Sequence, residues 1–187
     1  MENKVVDAVT SVAFWDNYWN DVTIPVQYNP GFNNDRAIAE VIMRFAPHGG
    51  DFSKKAMEIG CAPGKWMLFL LEKSGYMVHG CEYLKSGAEK TRQNFEYFRV
   101  AEKKYRVFQG DFFTLELERD YDLVLSLGFV EHFVDFRGVM EKHLALLKSG
   151  GLLIVGLPRF IGVNWLIQAI IDRLTREVAA LSSRPQP

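Results

Sequence analysis

The sequence predicts an α/β fold: a doubly wound, mostly parallel sheet of about five strands with helices on both faces. Three observations carry this. From residue 55 onward, short apolar runs alternate with stretches of helical periodicity. The strand-like runs are continuously apolar, as strands buried on both faces are. Glycines or acidic residues stand just after the first four runs, at Gly60, Glu82, Gly110-Asp111 and Gly128. In a doubly wound sheet, ligands sit beyond those carboxyl ends.

The elements follow in order. The first thirty residues are irregular and aromatic. Phe14-Trp15-Asp16-Asn17-Tyr18-Trp19 predicts a short helix, followed by a loop through Pro25 and Pro30-Gly31. Asn34 or Asp35 is expected to cap a helix with Ile38, Val41, Ile42 and Phe45 as its apolar stripe, ended by Pro47 and Gly49-Gly50. Residues 56–59 form the first strand, and a helix at 66–73 is stopped by Gly75. The second strand spans 76–82, followed by a helix at 86–99. The third and fourth strands span 105–109 and 121–126. Asp135 caps a helix at 136–147, and residues 151–156 make the fifth strand. An amphipathic helix at 161–181 and a Pro-containing tail follow.

Composition bounds the function. The 187 residues are 48% hydrophobic and 24% charged, which suits one globular domain over 1–187 and excludes a mainly disordered chain. The net charge of -1 offers no global field for nucleic acid or an anionic membrane. Cys61 and Cys81 match neither a disulfide framework nor a zinc spacing, so no metal is expected. The first residues lack the pattern of a secretory leader. No apolar run reaches the ~18–20 residues of a membrane span; the nearest, 161–171, is broken by Asn164 and Gln168. The expected setting is reduced and cytoplasmic.

The strand ends carry the chemistry. Glu58-Ile59-Gly60-Cys61-Ala62-Pro63-Gly64-Lys65 supplies glycines for a tight turn and close backbone approach at a helix start. Glu82 lies 22 residues after Gly60, where an acid can accept from ribose hydroxyls. Gly110-Asp111-Phe112 offers a carboxylate and a ring that suit an adenine. Ser126-Leu127-Gly128-Phe129-Val130-Glu131-His132 follows the fourth strand.

Together these motifs resemble class I S-adenosylmethionine-dependent methyltransferases. Leu147-Lys148-Ser149-Gly150-Gly151 is similar to the family's Leu-Lys-Pro-Gly-Gly approach to the fifth strand, with Ser149 in place of Pro. The match runs from residue 55 to about 160, in order and in register. The resemblance implies a Rossmann-like core over 55–160, an aromatic lid over 1–33 and S-adenosyl-L-methionine as cofactor. It implies that Glu58, Gly60, Cys61, Ala62 and Gly64 hold the methionine end. Glu82 would take the ribose, Asp111 and Phe112 the adenine, and Ser126, Leu127 and Gly128 the methyl side. Trp15, Tyr18 or Trp19 would face the sulfonium. His132 is the candidate base, with Glu131 to orient it or bind cofactor. The acceptor is expected to be a small molecule.

Other readings share parts of the pattern. A nicotinamide dehydrogenase would want Gly-x-Gly-x-x-Gly, and this chain has Gly-x-x-x-Gly with Pro63 inside. Cys61-Ala62-Pro63-Gly64 is similar to the loop of ribosomal RNA 2′-O-methyltransferases, but Ser126 stands where they carry Asp, and no Lys follows the fifth strand. The stretch 85–106 has seven Lys or Arg against three Glu, expected as a solvated helix face. A catalytically incomplete binding or interaction module is the further alternative. Only about thirty residues follow Gly156, so the family's last two strands have no sequence to form them. The fifth strand's edge is then expected to be covered by a homodimer partner or the 161–181 helix.

Overall fold

A computed structural model describes residues 11–46, 48 and 50–158. The helix expected at 161–181 lies outside the described residues, as do the first ten residues of the aromatic segment. The compact unit closes at Leu157.

Five parallel strands make one sheet in the order β3-β2-β1-β4-β5. They are β1 (Lys55–Ile59), β2 (Met77–Glu82), β3 (Tyr105–Gln109), β4 (Tyr121–Leu127) and β5 (Leu147–Gly156). The order reverses between β1 and β4, which places the switch point at their carboxyl ends. The helices are α1 (Val12–Asp21), α2 (Asn33–Phe45), α3 (Lys65–Ser74), α4 (Lys85–Tyr97) and α5 (Phe136–Leu144).

The strands' period of two sorts the core into two layers. Ala56, Val78, Leu123 and Leu125 face the cluster that holds Ile42 of α2, the apolar residues of α3 and Phe95 of α4. Met57, Ile59, Cys81 and Val124 face Phe112, Tyr121 and Leu146. Two histidines sit inside. His79 Nδ1 lies 2.8 Å from the Tyr121 hydroxyl. His143 is fully buried, with Nδ1 2.7 Å from the Val139 carbonyl and Nε2 without a partner.

Three local expectations are corrected. Asp35 does not cap α2 with its side chain; Phe32 holds the cap position. Asp35 is buried and accepts from Asn29 N at 3.0 Å and Lys65 Nζ at 2.7 Å. An ion pair to Lys65, at the start of the helix at 65–74, outcompetes the local cap. In the same helix Val41 and Phe45 are exposed, while Asp35, Ala39 and Ile42 face inward. The buried stripe is thus rotated from the expected one. Finally, α5 ends at Leu144 and β5 begins at Leu147. Tyr121 N donates to the Leu146 carbonyl at 3.1 Å, and the pairing then jumps from Leu147 to Leu152 across an irregularity. Asp135 does cap α5, accepting from Gly138 N at 3.0 Å.

Two outcomes follow for stability. Burial holds His143 below its ordinary pKa, and His79 shifts the same way, mainly for the same reason. Above pH ~6.5 both states are neutral; below it the unfolded chain takes up protons first, so stability falls. Denaturant midpoints from pH 7.5 to 5.5 should decline, and His143→Leu should make that decline shallower. An unchanged slope in the variant would assign the effect elsewhere. Second, Gly64 has φ 86°, and a β-carbon there would stand 2.9 Å from both Phe95 and Thr91. Gly64→Ala should cost about 3 kcal/mol in chemical unfolding.

Candidate functional site

The chain between β1 and α3 turns within residues 60–64, and Gly60 and Gly64 make this possible with φ 72° and 86°. Gly60 N and Cys61 N both donate to the Cys81 carbonyl, at 2.9 and 3.2 Å, which pins the turn to the end of β2. A β-carbon at Gly60 would lie 3.2 Å from the Phe129 ring. The turn is therefore wedged between the loop after β4 on one side and α4 on the other.

Above this turn opens a cleft of about 280 Å³, near the lower end of small-molecule sites. Glu58, Gly60, Ala62 and Pro63 line it from β1 and the turn, with Lys65 and Trp66 from the start of α3 and Leu127 from the end of β4. Tyr18, Trp19, Val22 and Val26 line it from the N-terminal segment.

The floor holds one polar atom that lacks a partner, and a second lies buried in the neighbouring strand. Glu58 is buried, and its Oε2 has none. Burial pushes the Glu58 carboxyl up to about 8, against the opposing effects of a Met67 backbone hydrogen bond and the Lys65 charge. Ser126, aligned with Ile59 across the β1–β4 ladder, is fully buried and its Oγ is also unpartnered. In native proteins such groups are rare and call for a missing partner.

The remaining candidates divide. Glu82 is buried at the end of β2, accepting from Leu84 N at 3.0 Å and Ala62 N at 3.4 Å, so it braces the turn. Burial raises its pKa, with those backbone donors opposing. Gly128 N donates to the Gly156 carbonyl at 2.9 Å. Cys61 lies beneath the turn, fully buried, and burial pushes its thiol well up. Asp111 uses Oδ1 to accept from Phe113 N at 2.9 Å, an Asx-type turn. Phe112 is core, with its ring 5.8 Å from Phe129 and 4.8 Å from His143. Neither Asp111 nor Phe112 lines the cleft.

His132 and Glu131 occupy a short 3₁₀ turn after β4. The His132 ring stands edge-on to Trp15 at 5.7 Å, and Glu131 Oε2 is buried without a partner. Trp15 stacks on Trp19 at 6.0 Å, which links the turn to the cleft's aromatic side. Sequence reasoning did not single out Lys65, Val22, Val26 or Asn94. Asn94 touches Val26 and Pro63 across long sequence separation, and no local pattern signals such contacts.

Among solved structures the fold has many relatives. A proposed S-adenosyl-L-methionine-dependent methyltransferase from Methanococcus maripaludis is 22% identical, with a TM-score of 0.58 over 83% of this chain and 66% of that one. The StiE O-methyltransferase segment is 26% identical, with a TM-score of 0.55 over 65% of this chain and 43% of that one. Geranyl diphosphate C-methyltransferase from Streptomyces coelicolor is 16% identical, with a TM-score of 0.57 over 75% and 61% respectively. The chain thus spans between 43% and 66% of the length of these three. No curated protein matches it in sequence. One family does match, through residues 57–153, from inside β1 to inside β5. Its sheet order, its switch-point cleft and that match over more than half its residues agree: the chain belongs to the methyltransferase domain family.

Proposed function

We propose that this chain binds S-adenosylmethionine in the switch-point cleft and acts as a methyltransferase on a small-molecule acceptor. The observation that carries the reading is Glu58, a buried carboxylate on the cleft floor with one oxygen unpartnered. A carboxyl in that position suits a cationic ligand. Ser126 Oγ, on the sheet face of Ile59 and not that of Glu58, is a second buried polar atom without a partner near the strand ends. The residues present therefore fit the cofactor that the family uses.

When bound, the cofactor supplies a methyl group activated by a sulfonium leaving group. The chain's own residues do the rest. Glu58 and the backbone of the 60–64 turn would hold the methionine end, and Glu82 the ribose. Asp111 would serve the adenine with the oxygen its turn leaves over, and Phe112 would back it from the core. Ser126, Leu127 and Gly128 would border the reacting side. Tyr18, Trp19, Val22 and Val26 exclude water from the cleft. His132 would take a proton from a hydroxyl acceptor, with Glu131 next to it in the chain to orient it. The basic stretch on and after α4 is engaged within the chain. Lys90 and Arg92 donate to backbone carbonyls, and Lys104 and Arg106 lie over Phe52 and Phe108. That supports a structural reading of these charges over a nucleic-acid surface.

Isothermal calorimetry with S-adenosylhomocysteine tests the site. Micromolar binding is expected, weakened at least about tenfold in Glu82→Ala, a loss near the ~1.4 kcal/mol of one charged hydrogen bond. No heat and no thermal shift with either the cofactor or its demethylated product would overturn the reading. The pH dependence is specific. With its pKa about 8, Glu58 is mostly protonated at pH 7 in the free chain. A cationic ligand favours the ionised form, so affinity should rise from pH 6 to 8 with proton release, and Glu58→Gln should abolish that rise. The raised pKa also destabilises the free chain as pH climbs through the unfolded value toward 8. Glu58→Gln should therefore raise the ligand-free Tm at pH 8, by roughly 5 °C, while losing affinity.

A further inference from the structure

We propose that one face of α4, made by Ser86, Lys90 and Asn94, is a latch of positioning residues. It holds the N-terminal segment over the cleft and sets how long the cofactor stays. This rests on the cofactor reading above. The three residues lie at i, i+4 and i+8, one stripe of a helix. Their partners ascend in the same order. Ser86 Oγ donates to Asp16 Oδ1 at 2.6 Å, Lys90 Nζ to the Val22 carbonyl at 2.8 Å, and Asn94 Nδ2 to the Val26 carbonyl at 2.6 Å. Val26 N returns a bond to Asn94 Oδ1 at 2.9 Å.

Asn94 does more than tie the segment down. Its amide also donates to the Pro63 carbonyl at 3.0 Å, inside the turn after β1. Val26 and Pro63 both line the cleft. One fully buried amide thus grips both walls, and it uses both donor and acceptor capacity to do so. Residues 22–29 carry no helix or strand of their own. Their backbone groups must find partners elsewhere, and α4 supplies three of them. The same helix packs Thr91 and Phe95 against Gly64. The cover and the turn are therefore fastened to one rigid element, each through its own contacts.

The test is the release rate of S-adenosylhomocysteine from the full chain, measured by stopped-flow fluorescence, with Kd and Tm in parallel. Lys90→Met keeps the aliphatic stem and removes the donor; Ser86→Ala and Asn94→Ser complete the series. Glu89→Gln, on an exposed face of the same helix, is the control. Lys90→Met should speed release about tenfold and raise acrylamide quenching of the bound protein's tryptophans, with the control unchanged. A purely structural role would lower Tm and leave release and quenching at the parent values, and that result would overturn the latch. If the parent chain binds no S-adenosylhomocysteine, the cofactor reading and the latch fall together. If it binds and Lys90→Met matches it, only the latch falls.

Discussion

Between the last residue of β1 and the first of α3 the backbone reverses over residues 60–64, and the rest of the site is arranged around that reversal. Its conformation admits no side chain at two points, because left-handed backbone and close neighbours coincide there. Phe129 presses on it from the loop after β4, and Thr91 and Phe95 press from α4. Cys81 holds it from the end of β2 by two backbone bonds, and the Glu82 carboxylate accepts from Ala62. Three elements thus converge on five residues. Their packing leaves the turn's upper side open to the cleft.

The same convergence accounts for the electrostatics. Glu58 is the last residue but one of a strand that is buried on both faces, so its carboxylate leaves water without gaining a full set of partners. The charge of Lys65 favours the ionised form of Glu58, yet the Lys65 ammonium is committed to Asp35 at 2.7 Å. The ion pair that could have neutralised Glu58 instead ties α2 to α3. An apolar residue at position 58 would fold more cheaply. Retaining a half-satisfied carboxylate there makes sense only if something that is not part of the chain completes it.

How much of this was legible follows the range of the interactions involved. Strands read well because their burial on both faces writes continuous apolar runs, and β3 appears at its expected residues. Glu58, Gly60 and Ala62 were readable as cleft residues because a tight strand-to-helix turn needs a local pattern. Asp35 misled because its chemistry suits a cap, and a lysine thirty positions away claimed it. Phe112 looked available for stacking because sequence cannot say which side of the chain the core lies on. Asn94 carried no signal at all, since the two residues its side chain bonds, Pro63 and Val26, lie 31 and 68 residues away. What was lost is the set of contacts made by single polar side chains across the fold.

That loss falls unevenly, and the unevenness has a physical origin. The floor of the cleft comes from strand ends, whose positions are fixed by backbone ladders that tolerate many side chains. The cover comes from a segment with no ladder, positioned by a few side chains of one helix and by aromatic packing at Trp15, Tyr18 and Trp19. Changing the cover therefore leaves the floor intact, since no strand depends on it. A chain built this way can keep one cofactor floor while its cover, and with it the space left for an acceptor, is rebuilt residue by residue.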